Sequence, residues 1–238
     1  MYNLDVIIPA FNEAETIGIV INGIRKVLAN PCRIIVVDDG SQDRTAEIAQ
    51  SCGAEVVIHP YHIGNGASIK TGLRKARAEV VLLIDGDRQH PPEQIPRLLS
   101  QVNNYDMVIG ARDFSGFSLR NLANRFYNLF AGYVTQFDIL DLTSGFRLVK
   151  RDIALKFLYL LPNGFSYPTT LTLAFLKTGR TIKYVPVSSC RRRSGRSKIR
   201  LFSDGIKFLL IITRIATFFS PLRVFLPVSF FFLLSGFL

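Results

Sequence analysis

The sequence predicts an α/β protein whose mostly parallel sheet is flanked by helices. Short apolar runs alternate with segments in which apolar residues recur at helical spacing. The central run, 80–84, is apolar at every position, which is typical of a strand buried on both faces of a sheet. Ligands of such sheets bind at the carboxyl ends of the strands, so functional residues are expected there.

The individual elements follow from these patterns in chain order. Strands are predicted at 4–9, 33–37, 55–58, 80–84, 105–110 and 181–187. Helices are predicted from Ile17 (capped by Asn12 and Glu15), at 45–52, 66–76, after Pro91-Pro92, and at 115–137, 152–161 and 168–177. The segment 141–147 is predicted to be a polar turn that enters a further strand.

Two carboxylates follow the central apolar run directly. Asp85 and Asp87 are two residues apart, so in an extended segment they point to the same side, and Gly86 permits a turn between them. Two such carboxylates repel each other unless a cation lies between them. Oxygen ligands at a strand end suit Mg²⁺ or Mn²⁺ that also holds substrate phosphates. For this pattern in isolation, a simple Asp-Gly turn is the more frequent interpretation.

Composition limits the class of protein and its partners. The chain has 238 residues, 48% of them hydrophobic, and a formal net charge of +11, which implies an anionic partner. Its 3 cysteines (Cys32, Cys52 and Cys190) form no close pair, so neither a disulfide framework nor a zinc site is indicated, and a reducing compartment is favoured. No signal peptide is expected before Leu4.

The C-terminal region combines a basic run with an apolar tail. The segment 191–200 is rich in Arg and Lys, and because an apolar segment follows it, a membrane surface is favoured. No interleaved aromatic residues support nucleic-acid binding. The sequence predicts a catalytic domain at 1–200, an amphipathic interfacial helix at 201–220, and at 221–238 the start of a transmembrane helix in a truncated chain. From Val224 that helix would reach about 22 Å, short of the ~30 Å hydrocarbon core.

Dinucleotide binding of the Rossmann type is not indicated. The first strand is followed by 9–13, which lacks the glycine pattern that admits a pyrophosphate. Gly64 and Gly66 open a helix and could present amides to an anion, but an ordinary loop-to-helix turn fits this segment equally well.

Six motifs together resemble the family 2 glycosyltransferases of the GT-A fold, in particular the branch that includes dolichol-phosphate mannose synthases and bacterial undecaprenyl-phosphate sugar transferases. They are VIIPAFNE (6–13), VVDDGS (36–41), GNGA (64–67) with TGL (71–73), DGDRQHP (85–91), SGFR (144–147) and RSGRSK (193–198). The resemblance covers residues 4–200 in the family's order.

The resemblance implies roles for individual residues. Donor-binding residues would be Pro9, Ala10, Phe11, Glu13, Asp38, Asp39, Gly66, Asp85 and Arg112. The metal ligands would be Asp85, Asp87 and Gln89, and the catalytic residues would be Asp87, Asp141 and Arg147. The acceptor phosphate would be held by Arg125, Ser144, Arg193, Ser197 and Lys198. For Arg120 and Arg125, an ordinary surface position is an equal alternative.

The resemblance also implies inverting transfer of a sugar from a nucleoside diphosphate sugar to a membrane polyprenyl phosphate, with the catalytic domain facing the cytoplasm. Such an acceptor is already anionic and needs no base. If the acceptor were a sugar hydroxyl, Asp141 is the candidate base, although it could equally cap the turn at 143–145. A membrane-bound nucleotide-sugar sensor without catalysis is a further alternative. The sequence leaves the sugar, the nucleotide and the oligomeric state open, and a homo-oligomer is compatible with it.

Overall fold

A mixed sheet forms the centre of the molecule in the computed structural model, which describes residues 3–28, 32–112, 119–164, 166–188, 201–219 and 221–236. The strands of the described residues are β1 (Leu4–Ala10), β2 (Arg33–Asp38), β3 (Glu55–Ile58), β4 (Val80–Leu83), β5 (Met107–Ala111), β6 (Arg147–Lys150) and β7 (Ile182–Pro186). The helices are α1 (Ile17–Val27), α2 (Thr45–Ser51), α3 (Asn65–Lys75), α4 (Ile95–Leu99), α5 (Leu119–Thr135), α6 (Arg151–Leu155), α7 (Tyr167–Lys177), α8 (Leu201–Phe219) and α9 (Pro221–Gly236).

The strand order places the predicted central strand inside the sheet. The order is β3-β2-β1-β4-β6-β5-β7, and every neighbouring pair is parallel except those that involve β6. Because β6 runs antiparallel to β4 and β5, its amino end lies beside their carboxyl ends. The turn that precedes β6 is therefore brought to the edge of the sheet where ligands are expected.

Two hydrophobic clusters cover the two faces of the sheet. Successive residues of β1 alternate between them, Ile7 in one cluster and Val6 and Ile8 in the other. The cluster around Ile7 includes residues of α3, α5, α6, α7 and α8, whereas the other is formed with α1, α2 and α4. The expectation that the central strand is buried on both faces is confirmed, since β4 is buried at every position.

Several local predictions differ from the structure. The capping of α1 by Asn12 and Glu15 is wrong: α1 starts after Thr16, whose hydroxyl donates to the Glu13 carboxylate at 3.0 Å. Asn12 has a left-handed backbone (φ 56°), and its Oδ1 accepts from the amide of Gln42. The helix predicted at 152–161 is limited to α6, and turns follow it.

The two C-terminal helices pack against the rest of the chain at α5 and α7. Helix α8 contacts both, and Arg223 near the start of α9 donates to the carbonyl of Val134 in α5 at 3.0 Å. Within the part of the chain that the structure describes, no helix is both long and apolar enough to cross a bilayer.

Candidate active site

One edge of the sheet gathers most of the residues that the sequence singles out. The carboxyl ends of β1, β2, β4 and β5 lead into residues 11–13, Asp39, Asp85 and Arg112, and the amino end of β6 brings in 141–146. The predicted acceptor residues Arg193, Ser197 and Lys198 lie outside the described residues, as does the side chain of Arg120.

The Asp85-Gly86-Asp87 turn lies against the turn before β6. A Cβ atom on Gly145 would lie 3.0 Å from Cγ of Asp85 and closer still to its Oδ2, so only glycine leaves room for this carboxylate. The side chain of Asn65, at the start of α3, also hydrogen-bonds Asp85. Arg88 is left-handed (φ 62°), and the Gln89 amide donates back to Asp87 Oδ1 at 3.1 Å. The two carboxylates are thus held on one tight turn.

The electrostatics of this turn favour a cation. Burial, and then the negative charge of Asp87, raise the pKa of Asp85 to about 7, against opposing effects of Arg112 and Arg147. Among the described residues, no group of three His, Cys, Asp or Glu side chains is placed to hold a metal ion. The predicted set of Asp85, Asp87 and Gln89 nevertheless fits Mg²⁺ or Mn²⁺, since these ions usually take few protein carboxylates and complete their shell with substrate phosphates and water.

Arg112 and Asp141 form a buried ion pair beside this turn. Nε of Arg112 donates to Oδ2 at 2.8 Å, and its Nη2 donates to Oδ1 at 3.0 Å and to Thr143 Oγ1 at 2.6 Å. The amide of Thr143 also donates to Oδ1 of Asp141 at 3.0 Å. Both oxygens of the carboxylate are therefore engaged within the protein.

This pairing bears on the suggestion that Asp141 is a general base. Burial alone would raise its pKa, but hydrogen bonds from Arg112 and the charge of Arg112 outweigh burial and hold the pKa of Asp141 below its ordinary value. A fully buried carboxylate with a lowered pKa is a poor proton acceptor at neutral pH. The geometry fits the alternative, in which Asp141 caps the turn and also orients Arg112.

Arg147, predicted to be catalytic, is directed into the core. It has no exposed surface, and its guanidinium donates to the carbonyls of Ser144 and Pro168 and to the hydroxyl of Thr172. Ser144, predicted to contact the acceptor, is also buried, and its hydroxyl donates to the Gly110 carbonyl at 2.7 Å. In this conformation both side chains support the turn before β6 from the protein interior, and neither reaches the surface of the site.

The side of the site that was predicted to bind the donor is built around Asp39. Its carboxylate accepts from the amides of Ile63 and Gly64 and from ring nitrogens of His59 and His62, all at 2.7–3.0 Å. Asp39 is almost completely buried, so it organises the loop 59–64. Asp38, also predicted to bind the donor, is buried and accepts from the amide and the hydroxyl of Ser41.

The predicted residues after β1 form the rim on this side. Phe11 is partly exposed and stacks on His62 with ring centroids 4.1 Å apart. Glu13 is partly exposed, whereas Pro9 and Ala10 are buried. The rim thus offers an aromatic surface next to polar groups, as a nucleotide base requires.

The glycine-rich start of α3 is covered by protein atoms. The amide of Gly66 donates to the Gly164 carbonyl at 3.1 Å, and the amide of Ala67 donates to the Asn163 carbonyl at 2.8 Å. A Cβ atom on Gly66 would collide with the carbonyl oxygen of Pro162. The structure therefore agrees with a loop-to-helix turn here, because the amides of a phosphate cradle would have to be open.

A cavity of about 930 Å³ lies next to Arg112. Arg125, on α5, lines it together with Arg97 and Arg112, and a set of apolar residues that we call the apolar wall lines it as well. The wall consists of Leu129, Tyr133, Phe137, Ile139, Leu140, Pro186 and Val187. The cavity combines three cations with a hydrophobic surface, and Asp138 also lines it.

Three residues near the site had not been singled out from the sequence for a role. Asn65 and Gly145 contact Asp85. Both lie inside the motifs at 64–67 and 144–147, and this position was the only indication in the sequence that they could belong to the site. His90 stacks on Phe146 with centroids 5.2 Å apart. Burial, and then the charge of Arg112, lower the pKa of His90 to about 4, so its ring is neutral at pH 7.

The comparisons with known proteins agree with this geometry. Residues 5–158 match the family described as "Glycosyl transferase family 2", and the chain belongs to this family. An undecaprenyl-phosphate mannosyltransferase of Micrococcus luteus is 29% identical over 216 residues, which cover 84% of this chain and 87% of that protein. An undecaprenyl-phosphate 4-deoxy-4-formamido-L-arabinose transferase of Pectobacterium carotovorum is 30% identical and covers 99% of this chain and 74% of that protein.

A solved structure supports the fold. The glucosyl-3-phosphoglycerate synthase of Mycobacterium tuberculosis, in complex with Mn²⁺, uridine diphosphate and glucosyl-3-phosphoglycerate, superimposes with a TM-score of 0.72 at 21% identity. The match covers 90% of this chain and 80% of the synthase. A GT-A-like arrangement is confirmed, and its seven-stranded sheet is mixed, since β6 runs antiparallel to β4 and β5.

Proposed function

We propose that this glycosyltransferase moves a sugar from a nucleoside diphosphate sugar to a polyprenyl phosphate at the cytoplasmic face of a membrane, with Mg²⁺ or Mn²⁺ as cofactor. The observation that carries the choice of acceptor is the cavity lined by Arg112, Arg125 and an apolar wall. With Arg97, three cations lie beside a hydrophobic surface, and this combination suits a phosphate that is attached to a lipid chain. The printed names of the relatives from Micrococcus and Pectobacterium, both undecaprenyl-phosphate sugar transferases, support the same choice.

The donor would bind along the edge formed by Phe11, Glu13 and the Asp85 turn. Asp85, Asp87 and Gln89 would hold the divalent ion, which when bound supplies Lewis-acid compensation of the charge on the departing diphosphate. Burial alone would lower the pKa of Arg112, but Asp141 outweighs burial and holds this pKa above its ordinary value. Arg112 therefore remains a cation next to Asp85 and Asp87. It is thus placed to attract the anionic diphosphate or the acceptor phosphate.

The acceptor chemistry is consistent with the state of Asp141. A phosphate monoester is anionic near pH 7 and attacks without loss of a proton, so no base is required. A sugar hydroxyl would require a base, and the carboxylate predicted for that role is occupied by Arg112. The lipid phosphate is therefore the acceptor that the arrangement of this site favours.

Product analysis tests the proposal directly. Radiolabelled guanosine and uridine diphosphate sugars are offered in a panel with polyprenyl phosphate, with and without EDTA. We expect one sugar to enter a lipid product that mild acid cleaves, as a glycosyl phosphodiester should, and EDTA to abolish its formation. A product with a glycosidic linkage that resists mild acid would instead establish a hydroxyl acceptor. Binding of a nucleotide sugar without any turnover would favour the sensor.

The Asp87→Asn variant tests the metal assignment within this function. The substitution removes one of the two carboxylate charges but keeps the shape of the side chain. We expect almost complete loss of transfer with unchanged thermal unfolding, whereas Asp152→Asn, at a side chain that is 86% exposed, should behave as the parent protein. Full activity of Asp87→Asn would remove this residue from the metal site.

A further inference from the structure

The ring of His62 lies between Phe11 and Asp39, two residues that were predicted to bind the donor. It stacks on Phe11 with ring centroids 4.1 Å apart and ring planes inclined by 26°. At its edge, Nδ1 lies 2.7 Å from Oδ2 of Asp39. Because a carboxylate only accepts hydrogen bonds, Nδ1 carries the proton of this contact. The side chain is nevertheless 55% exposed, so the ring is held at the surface of the protein.

Four donors occupy the carboxylate of Asp39. Oδ1 accepts from Nδ1 of His59 at 2.8 Å and from the amide of Ile63 at 3.0 Å. Oδ2 accepts from the amide of Gly64 at 2.8 Å and from His62 at 2.7 Å. Each carboxylate oxygen has two lone pairs, so these contacts use the acceptor capacity of the group. A ligand that hydrogen-bonds Asp39 must therefore displace one of the four donors.

His62 is the donor that can leave most easily. The amides of Ile63 and Gly64 belong to the backbone of the loop, and His59 is 8% exposed and is also hydrogen-bonded through its second ring nitrogen. The backbone at His62 is packed closely, since a Cβ atom on Gly40 would lie 3.0 Å from the His62 amide nitrogen. The exposed side chain can change rotamer without movement of this backbone, and such changes take picoseconds to nanoseconds.

The contacts of His62 are those that a nucleobase would make at this place. A base is a flat aromatic ring that can stack on Phe11, and its N–H groups can donate to a carboxylate. A base that stacked on the outer face of His62 would leave this ring in place, but it would gain no hydrogen bond to Asp39. Displacement of His62 gives the base both the stacking contact and the hydrogen bond.

We propose that His62 is an internal occupant of the nucleobase subsite, and that the base of the sugar nucleotide replaces it on Phe11 and on Oδ2 of Asp39. The inference deepens the proposed function and rests on it, because it assumes that the donor carries a nucleotide. The exchange weakens donor binding by the contacts that His62 loses. It also assists release of the nucleoside diphosphate after transfer, since the returning ring restores the fourth hydrogen bond of Asp39 as the base departs.

The His62→Ala variant removes the internal competitor and leaves Phe11 and Asp39 in place. The parent protein of residues 1–238 and the variant are titrated calorimetrically with UDP and, separately, with GDP, each in the presence of Mg²⁺. We expect the nucleoside diphosphate that the protein accepts to bind His62→Ala about tenfold more tightly, because it no longer competes with a hydrogen bond and a stacking contact. Inorganic pyrophosphate, which has no base, should bind both proteins equally.

Two further variants separate displacement from other effects. Tyr61→Ala removes a ring that is 67% exposed from the same loop, and it should bind the nucleotide like the parent protein. His62→Phe keeps a ring that can stack on Phe11 but has no N–H group, so its affinity should lie between those of the parent and His62→Ala. Thermal unfolding of each variant checks that the fold is unchanged.

Proton NMR follows the displacement directly. The chain has 3 histidines, and the ring signal of His62 is the one that the His62→Ala spectrum lacks. In the parent protein without ligand, stacking on Phe11 shifts this signal away from that of a free imidazole. On saturation with the nucleoside diphosphate and Mg²⁺, we expect it to move to the position of a solvent-exposed histidine.

Four results would overturn the inference and leave the proposed function standing. They are equal or weaker nucleotide binding by His62→Ala, the same gain in affinity in Tyr61→Ala, an equal gain for pyrophosphate, and an unchanged His62 signal in the nucleotide complex. Weaker binding by His62→Ala would make His62 a platform on which the base stacks. If neither UDP nor GDP bound any of these proteins, the proposed function would fail together with the inference.

Discussion

Arg112 and Asp141 meet in a bidentate ion pair although 29 residues separate them in the chain. The antiparallel strand β6 causes the meeting, because its amino end lies next to the carboxyl end of β5. The pair places a fixed cation beside two carboxylates that would otherwise only repel an anionic substrate. The pair also lowers the pKa of Asp141, which makes this carboxylate a poor general base.

Asp141→Asn distinguishes an orienting role from a basic one. An amide cannot accept both hydrogen bonds from Arg112 as an anion does, so we expect a loss of about 3 kcal/mol in the free energy of unfolding, measured in urea. We further expect higher KM values for the phosphorylated substrates with kcat partly retained. Loss of nearly all kcat with unchanged KM values would instead support a base.

The pH dependence of this variant adds an independent check. Because the folded pKa of Asp141 is depressed, its stabilising effect is complete above its unfolded pKa near 3.9 and is lost only as pH falls through the lower folded value. The stability difference between parent and Asp141→Asn should therefore be constant from pH 5 to 8. The acidic limb of kcat should be the same in both proteins. A limb that disappears in the variant would show that Asp141 titrates during turnover.

Gly145→Ala tests whether the position of Asp85 is set by the turn before β6. The added methyl group would come within 3.0 Å of the Asp85 carboxyl carbon and so displace the carboxylate. A displacement of this kind should lower kcat/KM on the order of 100-fold and raise the Mn²⁺ concentration that gives half-maximal activity. Gly164→Ala is the control, because a Cβ atom there has no neighbour within 4 Å. Parent-like metal dependence of Gly145→Ala would show that the carboxylate is free to adjust.

The sequence predicts the sheet well because local patterns specify its strands. Strand β3 has the predicted bounds, and β4 ends at Leu83, one residue before its expected end at Ile84. A purely apolar run and a following Asp-Gly-Asp turn are properties of adjacent residues, and they need no knowledge of the rest of the fold.

The sequence does not predict contacts that depend on distant segments. Arg147 follows a turn motif and would be expected at a surface, yet α7 supplies the carbonyl and hydroxyl groups that satisfy it in the core. The amides near Gly66 are occupied by 163–164, about a hundred residues further along the chain. No sequence pattern around Arg147 or Gly66 indicates the distant segment that it contacts. The structural roles of these two residues could therefore not be predicted before the fold was known.

Asp106→Asn tests a second network, which is partly buried and lies at the end of the sheet away from the site. Asp106 accepts from the amide of Thr181 at 3.0 Å and from Lys150 Nζ at 3.1 Å, and so joins the segments that flank β5, β6 and β7. Burial alone would raise the pKa of Asp106, but these hydrogen bonds together outweigh burial and hold the pKa below its ordinary value. We expect Asp106→Asn to reduce the free energy of unfolding at pH 7 by about 1–2 kcal/mol.

A depressed carboxylate pKa also fixes the direction of the pH effect. The contribution of Asp106 should be full above its unfolded pKa, about 3.9, and should decline as pH falls through the lower folded value. Urea unfolding between pH 7 and pH 3 should therefore show the parent and Asp106→Asn converging below about pH 4. Glu79→Gln, at an exposed residue, serves as the control. Divergence of the parent and Asp106→Asn curves at low pH would refute the assigned network.

Arg125→Ala tests the acceptor side of the cavity. Arg125 is exposed on α5, and we expect its guanidinium to meet the acceptor phosphate. Loss of a charge-assisted hydrogen bond should raise the KM for polyprenyl phosphate by about tenfold to a hundredfold, while the KM for the sugar nucleotide changes little. Arg125→Lys should recover part of the loss, because it keeps the charge but not the planar fork.

The assay for Arg125 uses a short-chain polyprenyl phosphate in detergent, so that membrane docking does not contribute to the acceptor KM. Arg74→Ala, which removes an exposed cation from α3, controls for the change in net charge. If Arg125 acts only by attracting anions in general, both variants should raise both KM values to a similar, salt-dependent extent. If it binds the phosphate, the effect should be confined to Arg125 and to the acceptor, and Arg125→Lys should lie between the parent and Arg125→Ala. An unchanged acceptor KM in Arg125→Ala would leave Arg125 as an ordinary surface residue and would move the phosphate site elsewhere.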